Sequence, residues 1–467
     1  MNILLVNVCL RPNSPVKFFP VGLGYVATAM HNAGFAFDII DIDAHRHSDA
    51  ELTGLLGRRE YDVVCMGCIV TGYSIIKRLA AQIRAIHKRC VIVVGNSVAT
   101  SIVDTLLHRT EADIAVLGEG DVTVVELLTA LRDKTPISSV KGLAYLEDGA
   151  IVATEDRPYI KDISTLPLLD FGLFDSDVYI DNSSISANEP LPIPREQVRA
   201  LPCNTARGCI GKCTFCYHNF QGLPYRYRTA RSIVDEIRHT IETYDINYIN
   251  FWDELTFYSK PQTEELLDLI LAERLDFFWS ASCRGNLFTE EQDMDLLRKM
   301  KQAGCLSMGY ALESSDQRIL KMMNKNVSVD DFARQTVLLQ RAGIVTYTSL
   351  VIGYPMETRE TIRKTFECCL KHRIYPSAGF LLPQPGSGMY EYARTHGFIP
   401  DEEDYLLKLG DRQDLRLNMT AIPDDELEAI VQEWLDRCNH ELGIGLPAEE
   451  LMKTPHYLAP QDAKADS

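Results

Sequence analysis

Short apolar runs alternate with amphipathic runs along the first 135 residues, and this alternation restricts the fold more than any other feature. The segment NILLVNV (2–8) predicts a buried strand, and GLGYVATAMHNAG (22–34) predicts a helix that ends at Gly34. Further strands, each followed by a helical run, are predicted at 36–43, 61–69, 90–96 and 112–118. Apolar strands that alternate with helices form parallel sheets covered on both faces. Residues 1–135 are therefore predicted to form a doubly wound domain of about five strands.

The segment 136–200 differs in composition from what precedes it. VKGLAYLEDGAIVATEDRPYI predicts a small hairpin that turns at Asp148-Gly149. STLPLLDFGLF and NEPLPIPREQ are rich in proline and indicate irregular chain. We interpret residues 136–200 as a linker between two domains.

The alternation of strands and helices resumes at about residue 203. Strands are predicted near 203–208, 247–252, 277–282, 306–312, 346–352 and 378–383, with long amphipathic helices between them. Six such units predict a partial (β/α)6 barrel of the TIM type over residues 201–387. A helical region is predicted for 388–467, with a frayed tail at 453–467. The whole chain is predicted to be an α/β protein.

Charge and hydropathy narrow the class of function. The 467 residues carry a formal net charge of −18, which argues against a protein that grips a nucleic-acid backbone. No apolar run has the length of a membrane span. The start, MNILLVNVCL, has neither a basic region nor a cleavage site, so a cytoplasmic enzyme with a small-molecule substrate is expected.

Three cysteines, Cys209, Cys213 and Cys216, lie within TARGCIGKCTFCYHNF in the spacing C-x3-C-x2-C. Thiolates are the ligands of iron–sulfur clusters, and three of them leave one iron of a four-iron cluster without a protein ligand. A structural zinc site needs a fourth ligand. His218 is the nearest candidate, but C-x3-C-x2-C-x-H is cramped for a zinc finger. The spacing therefore favours a [4Fe-4S] cluster.

This motif resembles the signature of the radical S-adenosylmethionine (SAM) superfamily, with Phe215 before the last cysteine and LPCNTARG as a first barrel strand before it. The resemblance implies that the open iron chelates SAM through its amino and carboxylate groups. It also implies that one electron, from a donor such as flavodoxin or another reductase, passes through the cluster and cleaves SAM to methionine and a 5'-deoxyadenosyl radical. That radical abstracts a hydrogen atom from the substrate.

Segments at the ends of two later strands resemble the family where it holds the methionine part of SAM. NFWDELTFY (250–258) implies that Asp253 and Glu254 receive the ammonium group. SASCRGNLF (280–288) implies that Arg284 pairs with the carboxylate. The alternative for these residues is a structural role, since charged residues rim many barrels.

Two further segments resemble the family where it holds the nucleoside. MGYALESSDQRILKMMNK (308–325) implies that Glu313 and Ser314 approach the ribose. SLVIGYPMET (349–358) implies that the chain at Gly353 packs beside adenine. A turn is the alternative role for Gly353.

The first domain resembles the cobalamin-binding domain of one large class of the superfamily, on FFPVGLGYVATAMHNAGFAFDIIDID and VLGEGDVTVVELL. It lacks D-x-H-x-x-G, so no histidine is placed to ligate cobalt from below, and Gly95-Asn96 stands where Gly-Gly is frequent. The resemblance implies that small strand-end residues line the slot for the nucleotide tail of cobalamin. These residues are Thr71, Gly72, Ser74, Gly95, Asn96, Ser97, Gly118 and Gly120. A domain kept only as scaffold is the alternative.

The class implies cobalamin-dependent C-methylation of a small molecule. The alternatives use the same radical without methyl transfer, for ring formation, rearrangement or loss of water from a diol sugar. Tyr217 and His218 follow the cluster motif directly and are candidates for a catalytic acid or a substrate hydrogen bond, and packing under the cluster loop is their alternative role. A tRNA methylthiotransferase is disfavoured, because it needs a second cluster and the N-terminal cysteines lie in or beside apolar strands. A sensor would not need SAM residues at each strand end.

Overall fold

The computed structural model describes residues 1–186 and 190–454, so the predicted frayed tail lies outside the described residues from position 455 onward. The strands are β1 Ile3–Asn7, β2 Phe37–Asp41, β3 Val63–Gly67, β4 Val91–Gly95, β5 Ile114–Val116, β6 Leu143–Glu147, β7 Ala150–Ala153, β8 Ala200–Cys203, β9 Ala206–Arg207, β10 Arg226–Tyr227, β11 Tyr248–Phe251, β12 Phe278–Ser282, β13 Cys305–Gly309, β14 Val345–Ile352 and β15 Pro376–Phe380.

The helices are α1 Val21–Asn32, α2 Ile42–His45, α3 Asp49–Leu56, α4 Tyr73–Ile86, α5 Ser97–Ser101, α6 Val103–Arg109, α7 Gly120–Asp133, α8 Ser176–Asp181, α9 Ser183–Ser186, α10 Ala230–Tyr244, α11 Lys260–Ala272, α12 Met294–Gln302, α13 Gln317–Met322, α14 Val329–Arg341, α15 Arg359–Lys371, α16 Gly388–Thr395, α17 Glu402–Lys408 and α18 Asp424–Leu442. No helix among residues 1–186 and 190–454 is long and apolar enough to cross a membrane.

The first sheet has the strand order β2-β1-β3-β4-β5-β6-β7, and its first five strands are parallel. The predicted doubly wound sheet is confirmed, but it has seven strands rather than about five. The hairpin β6–β7 was expected in a linker, and it instead pairs antiparallel with β5. Its turn at Asp148 (φ 50°) and Gly149 (φ 78°) has two positive φ angles, as the tightest hairpin turns require. Leu143 and Ala144 are buried, so the hairpin extends the core.

The second sheet has the order β15-β14-β13-β12-β11-β8, with parallel neighbours throughout, and the predicted partial barrel is confirmed. Along β12 the side chains of Trp279 and Ala281 are buried, while Ser280 and Ser282 are partly exposed. Successive side chains of a strand point to opposite faces of the sheet. The outer helices cover the apolar face, so the polar face lines the barrel lumen.

The first barrel strand was predicted near 203–208, and the structure places it earlier, at Ala200–Cys203. The chain then forms the two-residue strand β9, which pairs antiparallel with β10. The three cysteines of the motif lie in the loop that connects β9 to β10. This loop follows the carboxyl end of the first barrel strand, which is where active sites of such barrels lie.

The C-terminal helices connect the two sheets. Helix α18 packs on α15, where the rings of Phe366 and Trp434 stack at 6.0 Å. Helix α17 reaches the first domain, because Glu403 accepts a hydrogen bond from Tyr73 Oη at 3.1 Å and forms an ion pair with Lys77.

Candidate functional site

In the cysteine loop, the first two thiols lie close to the same glycine. A Cβ built on Gly211 would lie 3.4 Å from Cys209 Sγ and 3.7 Å from Cys213 Sγ. Burial raises the pKa of the Cys213 thiol, and it raises the pKa of the Cys216 thiol to about 12. A bound metal would have to supply the charge that makes these thiols into thiolates.

Among the described residues, no group of three or more Cys, His, Asp and Glu side chains is arranged so that it could hold a single metal ion. A four-iron cube engages each cysteine at a separate corner, so it needs no such convergence. The loop therefore fits the donor set of the predicted cluster.

Thr214 clamps the middle of the loop. Its backbone N donates to Met323 O at 2.9 Å, its Oγ1 donates to Met322 O at 3.0 Å, and its carbonyl accepts from Met389 N at 2.8 Å. Gly388 lies in van der Waals contact with Thr214, since a Cβ built on the glycine would lie 3.4 Å from Thr214 Cβ. The cysteines are thus held between the end of α13 and the start of α16.

Asp253 supports the turn after β8. Its Oδ1 accepts from the backbone N of Thr205 and Ala206 at 2.8 and 3.0 Å, and its Oδ2 accepts from Thr205 Oγ1 at 2.7 Å. Burial raises the pKa of this carboxyl to about 7, against the lowering effect of these hydrogen bonds. The carboxylate of Asp253 is thus bonded to the protein's own backbone. The next residue, Glu254, lies on the wall of a cavity.

Arg284 lies beside the cysteine loop. A Cβ on Gly211 would lie 2.9 Å from its Nη1, and its Nη2 donates to the carbonyl of Lys325 at 2.5 Å. The hydrogen bond from Nη2 therefore fixes the guanidinium, and Nη1 lies close to Cys209 and Cys213.

Glu313 has an unpartnered oxygen. Its residue is only 4% exposed, and its φ of 63° is rare for a residue with a side chain. Lys325 Nζ donates to its Oε1 at 3.0 Å, while its Oε2 is buried and has no partner among the described residues. An unpaired buried acceptor is costly, so it favours a ligand that donates a hydrogen bond, such as one with a hydroxyl group. The adjacent Ser314 is fully buried, and its Oγ accepts from Asp316 N at 3.2 Å.

Position 353 has a backbone conformation that requires glycine. Its φ of 114° suits glycine alone, and its N donates to Glu357 Oε2 at 2.5 Å. Tyr354, next in the chain, shares a hydrogen bond of 3.1 Å with Thr214 Oγ1. The predicted adenine segment is thus linked to the cysteine loop.

A cavity of about 640 Å³ lies between the two domains. Of the residues predicted for a nucleotide slot, Gly95, Asn96, Ser97, Gly118 and Gly120 line it. The structure places Thr71, Gly72 and Ser74 outside its lining. A Cβ at Gly72 would collide with Cys68 Sγ, so that glycine serves the packing of its own turn. Sequence reasoning missed Gly67 and Ile69, which also line the cavity and follow the pattern of strand-end residues.

The barrel side of the cavity begins where the cysteine motif ends. Tyr217, His218 and Asn219 line it, and Asn219 Nδ2 donates to Asn96 Oδ1 across the domain boundary at 3.0 Å. Three buried atoms of its wall have no partner among the described residues, namely His218 Nδ1, Asn219 Oδ1 and Asn204 Oδ1. Burial lowers the pKa of His218. Unpaired polar atoms around this slot fit a large ligand with many hydrogen-bonding groups, such as cobalamin.

Buried ion pairs join the domains next to this cavity. Arg207 pairs with Glu119 at 2.6 Å and with Asp121 at 2.8 Å, and Arg226 pairs with Glu119 at 2.9 Å. The two acids belong to the GEGD segment at the start of α7, and the two arginines belong to β9 and β10. This network was not predicted, because its members are far apart in the sequence.

Two protein-family models match segments of the chain. Residues 203–369 match the radical SAM superfamily, and residues 9–128 match the B12-binding domain. The first match contains the cysteine loop, and the second contains all the cavity residues predicted for the nucleotide slot.

Similar proteins agree with these matches. An uncharacterized methyltransferase of Pyrococcus horikoshii is 26% identical over 386 residues, which are 81% of this chain and 79% of that protein. An anaerobic magnesium-protoporphyrin IX monomethyl ester cyclase of Rubrivivax gelatinosus is 27% identical over 358 residues, 74% of this chain and 61% of the cyclase. The chain thus spans less than two thirds of the cyclase.

A solved structure shows the same fold. The radical SAM methyltransferase TsrM from Kitasatospora setae superposes with a TM-score of 0.68 at 19% identity, over 85% of this chain and 78% of that one. The cysteine loop, the two sheets and the two family matches together show that this chain contains a B12-binding domain followed by a radical SAM domain.

Proposed function

We propose that this protein is a cobalamin-dependent radical SAM methyltransferase that methylates a carbon atom of a small molecule. The shared cavity is the observation that carries this proposal. Gly95 and Gly118 of the B12-binding domain line it, and so do Tyr217 and His218, directly after the third cysteine. A cofactor held by the first domain would face the cysteine loop, and methyl transfer to a carbon radical needs that arrangement.

The donor sets support the cofactors. When bound, the cluster supplies the electron that cleaves SAM, and cobalamin supplies the methyl group. We propose that the thiols of Cys209, Cys213 and Cys216 hold the cluster and that Glu313 accepts a ribose hydroxyl at its free Oε2. Ser314 supports that turn from its buried position.

The methionine part of SAM would bind between charged residues. We propose that Arg284, beside the cysteine loop, pairs with the carboxylate of SAM, and that Glu254 attracts its ammonium group. Asp253 would act indirectly, by fixing the turn that leads into the cysteine loop.

Tyr217 and His218 would contact the reacting molecules. A Cβ at Gly386 would collide with the Tyr217 ring, so the glycine leaves room for that ring at the edge of the cavity. Burial lowers the pKa of the His218 imidazole, against the raising effect of Glu254, and its Nδ1 has no partner among the described residues and could bond the substrate or the cofactor. Both side chains also exclude water from the space between the domains.

An electron donor is part of the proposal. A flavodoxin or another reductase would deliver single electrons to the cluster. Every one of the thirteen cysteines is a free thiol, and this suits a reducing compartment such as the cytoplasm.

The second candidate is ring formation, rearrangement or loss of water without methyl transfer. The similarity to the Rubrivivax gelatinosus cyclase favours this alternative. The cavity would then hold cobalamin in another role, or part of the substrate.

Two measurements on anaerobically reconstituted protein separate the candidates. Titration with hydroxocobalamin, followed by the visible spectrum, should show saturable binding of one equivalent. Turnover with reductant and a cell's small-molecule fraction should then give both 5'-deoxyadenosine and S-adenosylhomocysteine. If 5'-deoxyadenosine forms alone, the second candidate is correct. Absence of cobalamin binding would eliminate the methyltransferase.

A further inference from the structure

The chain after α17 returns to the free edge of the barrel sheet. Phe380 N of β15 donates to Arg412 O at 2.9 Å. Ala378 and Phe380 belong to the outer apolar core. Side chains alternate along a strand, so Ser377 and Gly379 face the lumen. A Cβ at Gly379 would lie 2.5 Å from Arg412 Nε, and this places the guanidinium on the lumen side of β15.

Among the described residues, no carboxylate lies within ion-pair distance of Arg412. Its Nη2 donates to the carbonyl oxygens of Leu350 and Ser377 at 2.6 and 3.4 Å, both uncharged groups. Its Nε is buried without a partner, and no carboxylate pairs with it in the described part of the chain. The adjacent Asp411 is already shared by Arg11, at 2.7 Å, and Lys453. A guanidinium offers five donors, so most of its bonding capacity is unused.

The surroundings disfavour an isolated cation. Burial lowers the pKa of Arg412, and the charge of Glu313 raises it. Glu313 itself is paired with Lys325. Cations are rarely buried without an anion, because removing a charge from water is costly. An anion from outside the chain would offset that cost.

The lumen wall has the matching polarity. Five side chains on its face are polar and partly exposed, although their outward-facing neighbours are buried; they are Asn250, Ser280, Ser282, Tyr347 and Ser349. The outer helices cover the opposite face, so this exposure is to the lumen. A polar wall beside the guanidinium of Arg412 suits a polar, charged molecule better than a hydrocarbon.

We propose that Arg412 binds a negatively charged group of the substrate, a carboxylate or a phosphate, inside the barrel beside Glu313. This inference rests on the proposed function and names the class of its substrate as an anionic small molecule. The planar guanidinium would engage either group through two parallel hydrogen bonds.

The test uses thermal unfolding of the full chain without cluster, SAM or cobalamin, with inorganic phosphate and acetate as probes at an ionic strength fixed with chloride. One of the two anions should raise the Tm of the wild type by about 1 to 2 °C. Arg412→Gln should lose this rise and Arg412→Lys should keep part of it. The control Arg416→Gln removes a surface arginine paired with Asp414 and should respond like the wild type.

A second measurement does not require a variant that folds. Phenylglyoxal modification of the wild type, mapped by mass spectrometry, should be slowed at Arg412 by the stabilising anion and unchanged at Arg416. Equal anion effects on wild type and Arg412→Gln, or no protection of Arg412, would overturn the inference. Response to phosphate alone indicates a phosphorylated substrate, and response to acetate indicates a carboxylate. Neither readout needs a cofactor, so failure here leaves the methyltransferase proposal standing.

Discussion

Arg207 donates hydrogen bonds to both oxygens of Asp121, at 2.9 Å from Nη1 and 2.8 Å from Nη2, across the boundary between the two domains. Arg207 stands two residues before Cys209, and Asp121 stands in the first turn of α7 beside the cavity. One fork of hydrogen bonds therefore connects the cysteine loop to the B12-binding domain. It holds the cysteine loop against the wall of the cavity that both domains line.

Arg207→Gln should break this connection and leave Asp121 and Glu119 with less compensation. Removal of one partner of a buried ion pair costs about 3 to 5 kcal/mol, so the Tm should fall by several degrees. Arg298→Gln, which removes a surface pair with Asp295, should change stability by less than about 1 kcal/mol. Equal Tm values for the two variants would show that the network does not hold the domains together.

Cys213→Ala should prevent cluster assembly, because it removes one of the three thiols that are near each other in the loop. The measurements are iron content and 5'-deoxyadenosine formation after anaerobic reconstitution, and both should fall to background. Cys368→Ala, on α15 and remote from the loop, is the matched control and should retain both. A Cys213→Ala protein that still makes 5'-deoxyadenosine would refute the assignment of the cluster.

The features that could be predicted from the sequence are those that a short segment determines by itself. Apolar strands between amphipathic helices identified both sheets, and the cysteine spacing identified the loop. The sequence did not predict that β6 and β7 extend the first sheet, because a hairpin signal does not say which edge the hairpin joins. The role of Asp253 was equally hidden, since its partner Thr205 is 48 residues away. The residues around Arg412 in the sequence give no indication of a binding role, and only the folded structure places its side chain over Gly379.

Glu313→Gln should weaken SAM binding, and it should also destabilise the fold, because it leaves the Lys325 ammonium group without its buried carboxylate partner. The substitution keeps the shape of the side chain but removes its charge, and one amide replaces an oxygen that a ribose hydroxyl would approach. Hydrogen bonds to charged groups contribute about 1.5 to 3 kcal/mol, so the Kd for SAM should rise roughly 10- to 100-fold. Equilibrium dialysis of reconstituted protein measures it, with Glu391→Gln on the surface of α16 as the control. An unchanged Kd would place the ribose elsewhere.

Glu357 should make the stability of the apoprotein depend on pH. It is 2% exposed, and burial raises its pKa from 4.5 to about 7, against the lowering effect of the Gly353 and Tyr354 amides. The stability that the protonated carboxyl contributes is fully present below pH 4.5 and is lost as the pH rises through 7. Between about pH 5 and pH 8 the wild type should lose roughly 1 to 3 kcal/mol more than Glu357→Gln. Parallel pH profiles of Tm for the two proteins would contradict this.

Gly95→Val should fill the cavity without disturbing the fold. A Cβ at Gly95 would meet only Val116 Cβ, at 3.9 Å, so the new side chain has room and extends into the space between the domains. The apoprotein Tm should therefore change little, while the affinity for hydroxocobalamin, measured by visible titration, should fall at least tenfold because bulk occupies the slot. Gly54→Ala, at an open position of α3, is the control and should bind as the wild type does. Wild-type affinity in Gly95→Val would place any bound cobalamin outside this cavity, and a large loss of Tm would mean that Gly95 serves packing.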